Sequence, residues 1–220
     1  MKAIGNIYLT WRKGKGNSRT AVGVIRRNVT DGVRFQYIEA GVQKARLEGF
    51  NGFADFPDTN KDRIYSENVL EILGKRLTNS DRPDIQKYFD FWEINPEYKN
   101  DKYYLLAHTQ GLLATDNFEF LADYSPIDGL SFISEICGLS HTNPPHDIIS
   151  EGEELKWKYN RANSYDNKAI EVYKGDTYLG NVKLVHCNVF HKPGGDKLKI
   201  RVKSIEKNGH INRVFINISF

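Results

Sequence analysis

The chain has 220 residues, of which 40% are apolar and 27% charged, a composition typical of a globular protein with one large domain or two small ones. No run of about 18 apolar residues is present, so we expect no membrane-spanning helix, and the start of the chain lacks the pattern of a secretory signal. The two cysteines, Cys137 and Cys187, are too few for a disulfide framework. We therefore expect reduced thiols and a cytoplasmic location, with a single disulfide as the open alternative.

The formal net charge of +3 conceals a segregation of charge along the chain. Residues 1–30 carry seven basic and no acidic side chains, and residues 31–125 carry 11 basic against 17 acidic. Residues 126–154 carry six acidic and no basic side chains, whereas residues 155–220 carry 13 basic against five acidic. The basic excess of the last block favours a surface that binds a polyanion such as nucleic acid. The alternative is a solvated basic face that balances the acidic middle of the same molecule.

The first part of the chain is predicted to begin with antiparallel strands. Alternating apolar residues predict strands over residues 4–11, 21–27 and 33–37, and Asp31 with Gly32 forms the hairpin turn before the third. A loop rich in glycine and proline follows through residues 49–57.

Helices are predicted after this loop. Ser66 can cap one helix, and a second is predicted after Pro83. Four apolar residues share one face of the second helix and are expected in the core: Ile85, Tyr88, Phe89 and Trp92. Residues 103–107 are predicted to form another buried segment, and residues 115–117 a turn or helix cap ahead of residues 118–121.

The pattern changes around residues 124–129, and we place a domain boundary there, between residues 1–125 and 126–220. Beyond it, strand-like alternation recurs at the intervals of a small barrel. Six strands are predicted, over residues 131–139, 155–159, 169–173, 178–183, 198–205 and 213–220. The expected fold class is therefore α+β, with an N-terminal antiparallel sheet and helices followed by a small β-barrel.

The most specific segment is residues 163–172, which read Asn-Ser-Tyr-Asp-Asn-Lys-Ala-Ile-Glu-Val and are followed eight residues later by Gly180. This run resembles the HIRAN domain, which has an Asn-Pro-Tyr-Asp-like loop, an Ala-Ile-x-Val strand and a glycine-hydrophobic step on the next strand. Residues 138–141 are similar to the first strand of that family, and the resemblance covers about residues 130–220. It implies an OB-like barrel that binds single-stranded DNA by stacking bases on aromatic rings in a basic groove.

The best-understood HIRAN domains, in eukaryotic proteins that remodel DNA forks, capture the 3′ end of single-stranded DNA in a pocket. The resemblance implies that Tyr165 is the stacking or sugar-packing ring, that Asp166 accepts a hydrogen bond from the terminal hydroxyl, and that Asn163 braces the loop. A carboxylate near a phosphate chain is unfavourable unless it accepts a hydrogen bond from a hydroxyl group. The alternative is a packed ring beside an Asx-turn.

Two places depart from the family pattern. Ser140 and His141 stand where eukaryotic members have an arginine followed by an aromatic residue, which removes one phosphate-binding fork. Ser164 replaces the loop proline, which reduces preorganisation of the turn. Basic residues alternate along one predicted strand, at Lys199, Arg201 and Lys203. This spacing predicts a row of cations on one face of the strand, with solvated strand decoration as the alternative. The candidate contacts to the DNA backbone are Lys156, Lys158, Arg161, Lys183, Lys199, Arg201 and Lys203.

A second resemblance concerns the N-terminal half. Residues 21–25 and 33–37 are similar to the first subdomain of HipA-like toxin kinases, over about residues 5–60. The catalytic parts of such kinases would need far more chain. The resemblance therefore implies a regulatory piece that binds a kinase in trans, in a bacterial toxin–antitoxin or mobile-element setting.

Motifs for catalysis and metal binding are not evident. Residues 14–18 lack the spacing of a nucleotide-binding loop, and His186, Cys187 and His191 lack the second pair of a tetrahedral zinc site. We therefore expect a non-enzymatic protein without metal or cofactor, whose partner is single-stranded DNA or a 3′ DNA end and whose setting is DNA repair. The alternative is a protein-interaction module that regulates a HipA-like kinase.

Overall fold

The computed structural model describes residues 3–14, 16–161 and 166–220, which divide into two compact units. The first, called here the N-terminal unit, is Ile4–Asp123. The second, called the barrel unit, consists of Ala3 and Tyr124–Phe220. No helix within the described ranges is long and apolar enough to cross a membrane.

The N-terminal unit is built on a sheet whose described strands lie in the order β4-β3-β2-β1-β5. The predicted strands β1 to β3 are present. The hairpin between β2 and β3 turns at Gly32, whose φ of +69° favours glycine. The residues after the predicted turn at 115–117 form β5 rather than a helix, since they line the edge of this sheet. The bounds are β1 (Ile4–Trp11), β2 (Thr20–Asn28), β3 (Gly32–Tyr37), β4 (Ile64–Tyr65) and β5 (Phe118–Tyr124).

Helices complete the N-terminal unit. The helix α1 was not predicted, because it is short and buries the small residues Gly41 and Ala45. A Cβ at Gly41 would lie 1.9 Å from the Ala21 carbonyl oxygen, so glycine lets α1 approach β2 closely. The bounds are α1 (Glu39–Arg46), α2 (Val69–Gly74), α3 (Ile85–Trp92), α4 (Lys102–Thr109) and a 3-10 helix at Pro96–Tyr98.

The expectation that the apolar residues of α3 all lie in the core is wrong. Trp92 is buried, but Ile85, Tyr88 and Phe89 are half-exposed. Ile85 and Phe89 line an open groove of about 440 Å³ together with Ile94. The helix therefore buries its C-terminal end and leaves much of its apolar face accessible.

In the barrel unit, six described strands close into an antiparallel barrel in the order β10-β11-β6-β9-β8-β7. The prediction of six strands and a barrel is confirmed. The bounds are β6 (Ser131–Cys137), β7 (Glu154–Asn160), β8 (Ala169–Lys174), β9 (Thr177–Val182), β10 (Lys199–Lys207) and β11 (Ile211–Ser219). A short helix α5 (Leu139–Thr142) and 3-10 helices at His186–His191 and Gly195–Lys197 connect them.

The barrel has two short strand pairings. β6 pairs with β9 through Ile136–Val182 and Cys137–Asn181, and β10 pairs with β7 through Ile200–Leu155 and Arg201–Glu154. At the first pairing, Gly180 has φ of +150°, and a Cβ there would lie 2.3 Å from the Cys137 carbonyl oxygen. This glycine is therefore required for β9 to lie against β6.

Candidate nucleic-acid interface

Much of the charge that is segregated along the sequence is paired in the folded N-terminal unit. Arg12 and Arg19 both form ion pairs with Glu119, and Arg27 lies 2.6 Å from Asp101. These pairs join the basic block of residues 1–30 to the acidic block that follows it. Basic side chains of the first block therefore balance nearby acidic residues in this unit.

The same pairing occurs in the barrel unit, between its acidic first part and its basic second part. Glu135 lies 2.9 Å from Lys183 and 3.1 Å from Arg213. Three further pairs are Lys174–Glu153, Arg201–Glu154 and Lys207–Asp147. These pairs give acidic partners to five of the 13 basic side chains of residues 155–220.

Four exposed cations remain together on and beside β7. Lys156 and Lys158 lie on β7, Arg161 follows its last residue, and Lys199 begins the neighbouring strand β10. No acidic side chain of the described residues forms an ion pair with any of these four, which we call the basic strip. The basic strip is therefore the part of the barrel surface best suited to attract phosphate.

Aromatic rings adjoin the basic strip. The Lys158 ammonium lies 4.6 Å from the centroid of the Tyr173 ring on β8, and the Tyr173 and Tyr178 ring centroids are 5.6 Å apart. The Arg161 guanidinium lies 6.0 Å from the ring of Tyr159, which is 40% exposed. Cations beside accessible rings are the combination by which proteins hold single-stranded nucleic acid.

Hydrogen-bonded polar side chains line β7, β8 and β9 on the outside of the barrel, and one of the bonds crosses from β7 to β8. Glu171 accepts hydrogen bonds from Asn160 at 2.7 Å and from the Tyr173 hydroxyl at 2.8 Å, and Asn181 donates to the Tyr178 hydroxyl at 2.7 Å. The register places Lys158 opposite Glu171 and Glu171 opposite Asn181. We call this surface the outer face; it consists of Lys156, Lys158, Asn160, Glu171, Tyr173, Tyr178 and Asn181.

Of the motif residues, Asp166 is described, whereas Asn163 and Tyr165, as well as Ser164, lie outside the described residues. One Asp166 carboxylate oxygen accepts from the Lys168 amide at 2.9 Å, which is the geometry of an Asx-turn. The other lies 3.6 Å from the Cys187 thiol. Burial first, and then the charge of Asp166, raise the pKa of Cys187 to about 12, so this thiol stays protonated and donates to the carboxylate.

Ser140 and His141 are exposed and lie on α5, which follows β6. The Thr142 hydroxyl of the same helix donates to the Leu179 carbonyl oxygen at 2.8 Å. This contact fastens α5 to β9, the third strand of the outer face. The structure therefore brings the helix of these two predicted site residues to the strand that bears Asn181.

Two predictions for backbone contacts need correction. Lys183 is fully buried, and its ammonium pairs with Glu135, so it is not available to a phosphate and is removed from the candidate interface. The predicted row on β10 is interrupted, because the register shifts between Val202 and Ser204 and leaves Lys203 at a β-bulge. The alternation of exposed cations therefore ends at Arg201, which itself lies 4.0 Å from Glu154.

Several residues of the outer face were not predicted. Tyr173 and Glu171 alternate with the buried Ile170 and Val172 along β8. The alternation in the sequence is therefore sufficient to predict that Tyr173 and Glu171 face outwards. Their position beside Lys158 depends on the pairing of β7 with β8, which no sequence pattern indicated.

No protein-family model matches the chain, and no curated protein sequence matches it. Among solved structures, the chain is similar to the crystal structure of the HIRAN domain of human HLTF, with 17% sequence identity and a TM-score of 0.30. The similarity covers 40% of this chain and 74% of that chain. It therefore concerns less than half of the present protein.

Proposed function

We propose that the barrel unit binds single-stranded DNA along its outer face, without catalysing a reaction. The observation that carries this proposal is the coincidence of the basic strip with the ring of Tyr173, which lies beside Lys158 on the outer face. Lys174 and Lys207, on other parts of the unit, have acidic partners. Attraction for phosphate and a surface for base stacking therefore meet at one place.

The arrangement of the basic strip suits a flexible single strand better than a duplex. Its cations follow one strand and the start of the next, and the neighbouring rings offer stacking surfaces that a paired base cannot reach. With four phosphates neutralised, the logarithm of affinity should fall with the logarithm of salt concentration at a slope of about −3, at about −0.7 for each phosphate of a single strand.

Recognition of a 3′ end is the finer part of the proposal. It is supported by the resemblance of residues 163–172 to the HIRAN loop and by the place of Asp166, whose carboxylate is half-exposed directly before β8. The Lys168 amide and the Cys187 thiol orient this carboxylate. Further lone pairs of the two oxygens can accept a hydrogen bond from a terminal hydroxyl.

The test is fluorescence-polarisation binding of a 5′-labelled single-stranded oligonucleotide over a salt series, with the full chain. Lys156→Gln combined with Lys158→Gln should weaken binding and reduce the salt slope by about 1.4. The matched control is Lys207→Gln, an equal loss of charge per residue at a lysine that pairs with Asp147. Equal effects of the β7 and control substitutions would contradict the proposed face.

The regulator of a HipA-like kinase, the second hypothesis from the sequence, stays a prediction. Absence of binding to any single-stranded oligonucleotide at low salt would remove the DNA proposal. Co-purification of the intact chain with such a kinase would then be the decisive measurement for the second hypothesis.

A further inference from the structure

A second basic feature lies in the N-terminal unit, on the hairpin of β2 and β3. The register pairs Arg26 directly with Arg34 across these two strands, which places their Cβ atoms about 5 Å apart on the same face. Like charges directly opposite each other in a sheet are destabilising. The pair therefore needs compensating negative charge.

The contacts within the protein compensate for this pair in part. An Arg26 terminal nitrogen donates to the Gln36 side-chain oxygen at 3.1 Å, which is a neutral acceptor. An Arg34 terminal nitrogen donates to Asp31 at 2.6 Å, and Asn28 donates to the other oxygen of that carboxylate at 3.1 Å. Asp31 thus compensates Arg34 only, and the three charged groups Arg26, Arg34 and Asp31 keep one net positive charge.

The Arg34 Nε atom is a further sign that the pair is incomplete. It is buried and has no hydrogen-bond partner among the described residues. A buried donor without an acceptor costs free energy, so the contacts among the described residues do not fully satisfy the Arg34 guanidinium. Arg26 is exposed and donates to Gln36 through one terminal nitrogen, so its other donors face solvent.

We propose that Arg26 and Arg34 form a binding site for a phosphate group on the N-terminal unit. Two guanidinium forks on adjacent strands offer several N–H donors in planar arrays, which match the oxygens of phosphate. The bound anion removes the repulsion between the two arginines and supplies an acceptor to the pair. The phosphate belongs either to a small phosphorylated molecule or to a nucleic-acid backbone, and the chemistry of recognition is the same.

This site does not depend on the outer face of the barrel, because none of its residues belongs to the barrel unit. Loss of the barrel's affinity for DNA by the β7 substitutions would leave phosphate binding at the arginine pair intact. Loss of phosphate binding through the arginines would likewise leave Tyr173 and the basic strip in place. The two proposals therefore fail separately.

The experiment follows the arginine Nε–Hε signals by NMR in the full chain while inorganic pyrophosphate is added. Arg34→Gln and Arg26→Gln each should weaken binding by about tenfold, the scale expected for the loss of one hydrogen bond to a charged group. The control is Arg63→Gln, which removes an exposed arginine that lies over the Tyr65 ring, 5.2 Å from its centroid. Arg63→Gln should leave the affinity unchanged.

A second titration with a short oligonucleotide distinguishes the sources of the phosphate. Shifts of the Arg26 and Arg34 signals with either ligand support the site and identify that ligand, provided that the remaining arginine of each variant needs about tenfold more ligand and the control is unchanged. Shifts with neither ligand at millimolar concentration, or shifts that persist in both variants, overturn it. Circular dichroism of each variant checks that the hairpin is folded.

Discussion

The ammonium of Lys158 lies 4.6 Å from the centroid of the Tyr173 ring, across the pairing of β7 with β8. At this distance the cation is attracted to the face of the ring. The Tyr173 hydroxyl is at the same time fixed by its hydrogen bond to Glu171. In the proposed complex, this ring would stack a base while Lys158 contacts the phosphate of the same strand.

Replacing Tyr173 tests whether its ring stacks a base. Tyr173→Ala should lose about 1–3 kcal/mol of affinity for single-stranded DNA, because a stacking surface is removed. Tyr173→Phe keeps the ring and should retain most of the affinity. Tyr98→Ala, a substitution at an exposed tyrosine of the N-terminal unit, is the control in the same polarisation assay. Equal affinity of Tyr173→Ala and the wild type would remove Tyr173 from the interface.

Tyr165 lies outside the described residues, and its role comes from the resemblance alone. Tyr165→Ala should also lower the affinity for single-stranded DNA by about 1–3 kcal/mol if the ring stacks a base. Binding of a 5′-labelled oligonucleotide measures this loss. Unchanged binding would exclude Tyr165 from the site and leave the outer face as the whole interface.

Asp166→Asn tests the reading of a 3′ hydroxyl. The amide oxygen of asparagine can still accept from the Lys168 amide, so the Asx-turn should persist. We expect the wild type to prefer a free 3′ hydroxyl over a 3′ phosphate, because Asp166 attracts the first and repels the second. The variant should bind both ends with similar affinity. A preference that survives the substitution assigns end recognition to another group.

His108 should make stability depend on pH. Burial lowers the pKa of His108 to about 4, and its ring stacks on Tyr104 at 4.2 Å between centroids. Below the ordinary pKa of about 6.5, the unfolded chain binds a proton that the folded chain does not. The free energy of unfolding should therefore fall by up to about 3 kcal/mol between pH 6.5 and pH 4.

Urea unfolding at several pH values measures this effect. His108→Gln should show a weaker loss of stability on acidification, whereas His146→Gln, at an exposed histidine, should follow the wild type. A stability difference between wild type and His108→Gln that is constant with pH would show that His108 does not remain neutral in the fold.

Gly180→Ala should destabilise the barrel. The new methyl group would meet the Cys137 carbonyl oxygen at 2.3 Å, and φ of +150° is itself unfavourable for alanine. Overpacking and backbone strain together cost roughly 2–5 kcal/mol. In thermal unfolding, Gly175→Ala should lower the free energy of unfolding by only about 1–2 kcal/mol, the cost of the left-handed conformation. Gly175 has φ of +58°, but no described atom lies near its Cβ position. Equal costs at both glycines would contradict the close approach of β9 to β6.

Periodicity was sufficient to predict much of the strand framework. The three hairpin-linked strands of the N-terminal sheet and the six described strands of the barrel follow alternating apolar residues, and turn residues mark the hairpins β2–β3, β8–β9 and β10–β11. Helix α1 escaped prediction because its buried residues Gly41, Val42 and Ala45 are small and weakly patterned. The partial exposure of α3 was not predicted. An apolar helix face indicates burial, but the sequence does not show whether another element packs against that face.

The candidate site was predictable in composition but not in arrangement. Charge counts and the run of residues 163–172 predicted a nucleic-acid interface on the barrel. They did not distinguish Lys183, which is buried against Glu135, from Lys156, which is exposed. That difference depends on which strands are neighbours and in what register, a property of long-range pairing rather than of local sequence. The same holds for the contact of Lys158 with Tyr173.

The two short pairings of the barrel, β6 with β9 and β7 with β10, divide it into two three-stranded ribbons. One ribbon consists of β7, β8 and β9 and carries the whole outer face; the other consists of β6, β10 and β11. Opening of the barrel should begin at these two seams, where the fewest backbone hydrogen bonds must break. Lys199 of the basic strip belongs to the second ribbon. A DNA strand bound as proposed, to Lys156 and Lys199 together, would therefore bridge the β7–β10 seam and favour the closed barrel.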